Sequence, residues 1–188
     1  MMRKILAGLI AAAWLVAPAM ANAATWVVDQ AHSRIGFKAT QEDAGFEGYF
    51  RSWNAAISFD PKHLAASHVN VNVALASAVT GDKDRDAYLP TDVWFDAKRF
   101  PTATFTASKF VDQGGGRYQA IGDLAIKGVK RQVVLPFTLA ITGDTAKMSG
   151  QLVIDRTWFN VGSGKWKDPA EVGTKVTVVV TVVAKAGR

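Results

Sequence analysis

The chain has 188 residues, with no cysteine, three histidines, 49% hydrophobic residues and a formal net charge of +6. The absence of cysteine excludes disulfides, thiol catalysis and thiolate metal sites. The lysines and arginines are scattered along the chain instead of forming a stripe, so we expect no nucleic-acid partner.

The N-terminal residues have the pattern of a signal peptide. Two basic residues precede an apolar run over residues 5–17, and an A-x-A cleavage site ends at Ala23. The apolar run is shorter than the ~20 residues that a membrane-spanning helix needs, so no stable membrane insertion is expected. We predict that residues 1–23 are removed, that residues 24–188 form one domain, and that the protein is exported to the periplasm.

The rest of the chain has the period of half-buried β-strands. Val69, Val71 and Val73 alternate with Asn70 and Asn72, and similar alternation recurs along the chain. Turn signals such as a run of three glycines after residue 113 separate the segments. The pattern predicts eight or nine strands, drawn from residues 25–29, 33–40, 46–59, 69–75, 102–108, 117–126, 133–141, 147–155 and 174–184.

An all-β chain of this kind avoids exposed strand edges by closing into a barrel. The inward faces of the predicted strands carry large apolar residues and hardly a charge. An eight-stranded barrel is either filled by its own side chains or holds one small ligand, and the composition leaves both alternatives open.

Residues 82–99 interrupt the strand pattern with a charged stretch that is too long for a tight hairpin, and here we predict a short helical crossover. The spacing of Asp82, Asp84 and Asp86 is similar to that of a calcium-binding loop. Such a loop would need glycine and glutamate at the positions of Ala87 and Val93, so we predict a solvated charge cluster and no metal site.

The positions of the three histidines indicate neither a zinc site nor a catalytic pair. Zinc would need two of them at close spacing, and no such spacing is present. His32 precedes Ser33 directly, but neighbours along a strand point to opposite faces and make no nucleophile and base pair. We therefore predict no catalytic residue.

Many motifs, in one consistent order, resemble those of the YceI family of bacterial exported proteins. They are Asp29, His32-Ser33, Phe37, Gly48-Tyr49-Phe50, Arg85-Asp86 with Leu89, Trp94-Phe95-Asp96-Ala97, Phe100-Pro101, Phe105, Gly122-Asp123-Leu124, Gly128-Val129 and Asp155-Arg156. The resemblance covers almost all of residues 24–188. It implies a lipocalin-like antiparallel eight-stranded β-barrel, usually periplasmic, whose apolar tunnel holds polyisoprenoid chains such as the tails of isoprenoid quinones.

On this basis the expected function is a periplasmic binding protein that transports or stores a long-chain isoprenoid lipid, a polyisoprenoid or isoprenoid quinone, without another cofactor. Two alternatives remain: a filled barrel that interacts with a membrane redox protein, and an enzyme that acts on an apolar lipid with His32 as general acid or base. The state is monomer or homodimer. The predicted ligand-binding residues are Phe37, Tyr49, Ile57, Val71, Val73, Trp94, Phe95, Phe105, Leu124, Ile126, Phe137, Leu152, Ile154 and Trp158.

Overall fold

A computed structural model describes residues 23–187 as strands joined by short connections. The predicted signal peptide lies outside these residues, apart from Ala23, and stays a prediction. Among residues 23–187 there is one α-helix, α1, at Lys83–Tyr88, besides short 3₁₀ turns. The strands are β1 Thr25–Val28, β2 Arg34–Gln41, β3 Ala44–Phe50, β4 Trp53–Ser58, β5 His68–Ala74, β6 Ala78–Val79, β7 Thr102–Gly114, β8 Arg117–Ile126, β9 Val129–Thr142, β10 Thr145–Asp155 and β11 Lys175–Ala186.

The strands close into an antiparallel barrel, in which three of the wall strands are each made of two shorter strands. β1 and β2 form one interrupted wall strand, because both pair with β11. β3 and β4 form the second wall strand, and β5 and β6 form the third. With β7 to β11 this gives eight positions, and the pairing of Trp26 with Ala186 contributes to closure. The predicted all-β, eight-stranded barrel is confirmed.

Tight turns join the longest strands. Gly115 and Gly116 connect β7 to β8 with φ of 63° and 75°. Lys127 and Gly128 connect β8 to β9 with φ of 50° and 75°. Positive φ at both central residues matches the twist of the flanking strands, which explains why glycine-rich sequences were reliable turn signals here.

β7 is longer than the predicted segment 102–108 because its side-chain alternation is broken. Ala103 and Ala107 are buried, but the next buried residue is Phe110, at a position of the opposite parity. The pairing of β7 with β8 shifts register between Ala107 and Lys109, which is the position of a β-bulge. The extra residue shifts the buried positions from odd to even residue numbers. A prediction based on strict alternation therefore ended this strand too early.

Two long connections lie against each other at one end of the barrel. The first joins β6 to β7 and contains α1, as predicted, and the second joins β10 to β11. The backbone N–H groups of Gly162 and Ser163 in the second connection donate to the carbonyl of Val93 in the first, at 2.9 and 2.8 Å. Within residues 23–187, none of the helices has the length and apolarity needed to span a membrane.

Candidate ligand-binding site

A cavity of about 270 Å³ lies inside the barrel. It extends along β11 from Val176 to Ala184, a path of ~26 Å at the rise of a β-strand. Apart from Thr104 and Arg156, the residues that line it are apolar. Inward-facing residues such as Val71 are only half-buried, because they border this space instead of packing against neighbours. The barrel is therefore not filled by its own side chains.

One end of the cavity is closed by packed aromatic rings. The ring of Phe59 lies 5.2 Å from Phe110, 5.6 Å from Tyr118 and 6.1 Å from Phe137 between centroids, and all four side chains are buried. Trp26 joins them by donating a hydrogen bond from Nε1 to the carbonyl of Phe59 at 2.9 Å. These rings close this end of the barrel, and Trp26, Phe59 and Phe137 also border the cavity.

The crossover between β6 and β7 covers the opposite end. Leu89, Trp94 and Phe95 turn inward and line the cavity. Asp82 caps α1 by accepting from the N–H of Arg85 at 2.9 Å. One oxygen of Asp86 accepts from both the N–H and the hydroxyl of Thr80, at 2.6 and 2.7 Å. Asp82 and Asp86 thus stabilise the local structure of the crossover.

The three aspartates do not converge. In the part of the chain that the structure describes, no group of three or more metal-ligating side chains is gathered in one place.

Most of the predicted ligand-binding residues border the same cavity. Those that do are Phe37, Ile57, Val71, Val73, Trp94, Phe95, Phe105, Leu124, Ile126, Phe137, Leu152 and Ile154. The other two, Tyr49 and Trp158, lie outside the cavity.

Tyr49 faces outward because Phe46 and Phe50, at positions of the opposite parity on β3, face the cavity. The guanidinium of Arg34 lies over its ring instead, with Cζ 3.9 Å from the ring centroid. Trp158 is 48% exposed, and its ring lies 5.6 Å from Nζ of Lys175. Neither side chain borders the cavity, and a role of either in ligand binding stays a prediction.

The cavity also has walls that the sequence reasoning missed. Val176, Val178, Val180 and Val182 on β11 line it. Valine stands at several positions of both parities along this strand, so its pattern did not identify the inward face. Phe159 lines the cavity from a 3₁₀ turn and is fully buried. In such a turn no period of two operates, and no sequence signal separated it from Trp158.

Arg156 is the one charged residue that lines the cavity. Its side chain is buried, and its five N–H groups donate to the backbone carbonyls of Val161, Gly162, Trp166, Val172 and Gly173, at 2.6 to 3.3 Å. Burial lowers the pKa of the guanidinium, although Asp155 nearby acts in the opposite direction. Arg156 therefore ties the second connection to the end of β10 and has no N–H left for a ligand.

His32 lies away from the cavity. Its Nδ1 contacts Oδ2 of Asp29 at 2.8 Å, and its side chain is 72% exposed. The hydrogen bond from His32 is the largest cause that lowers the pKa of Asp29. The hydroxyl of the neighbouring Ser33 is bonded to both the carbonyl and the N–H of Val183. The two side chains thus have separate structural partners.

A closed antiparallel barrel with an apolar interior defines the lipocalin-like class of β-barrels. The sequence model of the YceI-like domain matches residues 26–184. The chain belongs to the YceI family, as the resemblance of its motifs indicated.

Individual relatives agree with this assignment. A UPF0312 protein of Vibrio vulnificus is 35% identical over 137 residues, which cover 71% of this chain and 72% of that protein. Among solved structures, BcnA of Burkholderia cenocepacia has a TM-score of 0.82 and 36% identity, and the match covers 85% of this chain and all of BcnA. A polyisoprenoid binding domain from Saccharophagus degradans has a TM-score of 0.70 at 14% identity, over 88% of this chain and all of that domain, and shares the fold.

Proposed function

We propose that this protein binds one long apolar chain of the polyisoprenoid type, such as the tail of an isoprenoid quinone, and carries or stores it in the periplasm. The observation that carries the proposal is the apolar cavity, which extends along the barrel wall and remains open at about 270 Å³. The name of the Saccharophagus degradans domain, which has the same fold, supports the choice of a polyisoprenoid as the ligand class.

The shape and chemistry of the cavity favour a hydrocarbon chain over a compact polar ligand. Its ~26 Å path along β11 exceeds the depth of one leaflet, about half of a ~30 Å hydrocarbon core. Each buried CH₂ group contributes ~0.8 kcal/mol, so a long chain can offset the entropy lost when it is ordered. A polar ligand would find few partners, because the donors of Arg156 are already in use.

The two alternatives have less support. A filled barrel that acts only as an interaction module would have no use for an open apolar interior. An enzyme with His32 as general acid or base would need that side chain near the bound lipid, whereas it is exposed and contacts Asp29. No specific observation favours either of them.

The proposal is tested by organic extraction of the purified protein followed by mass spectrometry. We expect an isoprenoid lipid at up to one molecule per protein. Val178→Phe, which fills the cavity from β11, should lower the amount that is bound. Val179→Phe, one position along on the outer face of the same strand, is the matched control and should leave it unchanged. Extracts without lipid, from a protein that also fails to take up a polyisoprenoid offered in detergent, would contradict the proposal.

A further inference from the structure

The barrel wall has a seam between β9 and β10. The two strands pair from Thr142 and Thr145 as far as Phe137 and Gly150, and their ladder ends there. Beyond that point residues 129–136 of β9 pair only with β8, and residues 151–155 of β10 pair only with β11. Each of these two stretches therefore has a free edge that faces the other.

Pro136 explains where the ladder ends. It would be the next residue to pair, opposite Gln151. Its carbonyl oxygen is directed toward β10, since a Cβ atom on Gly150 would lie 2.9 Å from it. The N–H and C=O groups of one residue in an antiparallel strand point to the same neighbour, so the donor that proline lacks is also missing on the β10 side.

The seam borders the cavity on its inner side. Leu135 of β9 and Leu152 and Ile154 of β10 line the cavity. At the far end of the seam, the buried cluster that includes Phe159 packs against Val129 of β9. The inner side of the seam is therefore apolar along its length.

The outer side of the seam is apolar as well. Val134 of β9 is 43% exposed and Val153 of β10 is 59% exposed, and the register of the ladder places them on opposite sides of the seam. Trp158, 48% exposed, lies in the 3₁₀ turn Arg156–Phe159 that follows β10. We call Val134, Val153 and Trp158 the seam patch.

The surroundings of the seam patch are basic. β8 to β11 carry two carboxylates, Asp123 and Asp155, which are bonded to Lys130 and Lys175, and Asp144 in the turn between β9 and β10 is bonded to Lys185. The basic residues of these four strands outnumber the three carboxylates and are Arg117, Lys130, Arg131, Lys147, Lys175 and Lys185. Lys175 also lies over the ring of Trp158. This combination of an exposed tryptophan, aliphatic side chains and flanking lysines is typical of surfaces that bind at the boundary of an anionic bilayer.

We propose that the seam patch is a docking surface for an anionic lipid bilayer. Trp158 and the two valines enter the headgroup boundary, and Lys130 and Lys175 lie against the anionic headgroups. The proposal concerns the outer surface and goes beyond the ligand in the cavity. In this orientation the seam faces the membrane, which places the apolar interior next to the phase in which a long-chain lipid is dissolved.

Cosedimentation with vesicles tests the proposal. Two vesicle types are compared: phosphatidylcholine alone, and phosphatidylcholine partly replaced by phosphatidylglycerol. We expect binding to the anionic vesicles that weakens as salt is raised. Val153→Asp should lower the partition coefficient about fivefold or more, the factor expected for one unit charge at such a surface. Val27→Asp on β1, at a residue that is 61% exposed, is the matched control and should bind as the unchanged protein does.

Trp158→Ala, a change at an exposed position, should also weaken vesicle binding. Equal partitioning of the Val153 and Val27 variants, or no preference for anionic vesicles, would overturn the proposal. So would sedimentation equilibrium that shows dimers lost in Val153→Asp, because the seam edges would then belong to a second copy. Vesicle binding measures the outer surface and lipid extraction measures the cavity, so one proposal can fail while the other stands.

Discussion

The most unusual residue of the barrel interior is Arg156. A buried guanidinium without a bonded carboxylate is costly unless all its N–H groups find acceptors, and here backbone carbonyls of one connection supply them. Gly162 makes room for it: its φ is +79°, and a Cβ atom there would overlap Nη1 of Arg156. The arrangement holds the covering connection in place with a single side chain.

Replacement of Arg156 by lysine is expected to destabilise the protein. Lysine has three donors, so at least two of the carbonyls lose their partner, and each such loss costs about 1 to 3 kcal/mol. Urea titration should therefore show a loss of at least about 2 kcal/mol, and limited proteolysis should cut within residues 157–173. Arg99→Lys, at an exposed arginine paired with Asp96, is the control. Equal stabilities of the two variants would show that the carbonyl contacts contribute little.

Asp86 is expected to make stability depend on pH. Burial would raise the pKa of this carboxyl, but the hydrogen bonds from Thr80 and the backbone outweigh it and hold the pKa below 3.8. Because the folded pKa is lower than the unfolded one, the stabilisation is present above pH ~3.8 and is lost as the pH falls through the folded value. Asp86→Asn should flatten the loss of stability below that pH, whereas Asp84→Asn on the exposed side of α1 should not. Thermal melts across the acid range would decide between these outcomes.

At the scale of residues, sequence reasoning succeeded where a strand has one apolar face. Val71, Val73 and Phe105 line the cavity, as alternation predicted. Tyr49 has the opposite parity to Phe50 on β3 and lies outside the cavity. Sequence reasoning also could not separate Trp158 from Phe159, since direction in a 3₁₀ turn depends on contacts with distant strands.

Among the secondary-structure elements, the inward faces of β7 and β9 illustrate two environments within one barrel. Phe137 of β9 stacks on Tyr118 at 5.5 Å and is buried in the closed end. Phe105 of β7 is half-buried and borders the open space. Both rings border the cavity, but Phe137 is also packed against the rings of Phe59 and Tyr118, whereas Phe105 has no such aromatic contacts among the described residues.

Alanine at these two positions should have different effects. Phe137→Ala is expected to cost ~3 to 5 kcal/mol with or without lipid, because it removes a buried ring from its contacts with Phe59 and Tyr118. Phe105→Ala should cost clearly less in the lipid-free protein, and its larger loss should appear in the lipid-loaded form. Urea titrations of both variants in both states would measure this. Equal losses for Phe105→Ala in the two states would mean that this ring does not contact the ligand.

The existence of the strands and of the helical crossover could be predicted from the sequence. Some of their boundaries could not. Arg51 and Ser52 break the predicted segment 46–59 into β3 and β4, because the wall bends there and β4 pairs with β1 instead of β2. The bulge after Ala107 and the end of the ladder at Pro136 depend on the register between neighbouring strands, which alternation within one strand does not reveal.

At the scale of the whole molecule, the question that composition left open was whether the barrel is filled or hollow. The same valines and phenylalanines fit both answers, because the spacing between opposite walls decides how much space remains. Only the closed strand circuit, which joins Trp26 to Ala186, defines that spacing. The family resemblance implied a tunnel, and the cavity agrees with it.

A hollow barrel also has a mechanical consequence. Pressure favours the state of smaller volume, and the volume lost on unfolding scales with the internal void that disappears. The lipid-free protein, with about 270 Å³ of open space, should unfold with a large negative volume change under hydrostatic pressure. Lipid, or the ring introduced by Val178→Phe, should reduce the size of that change, and Val179→Phe should not. Tryptophan fluorescence under pressure gives the volume change from the slope of the unfolding free energy, separately from the gain in stability on binding. The protein should therefore be more compressible without its ligand than with it.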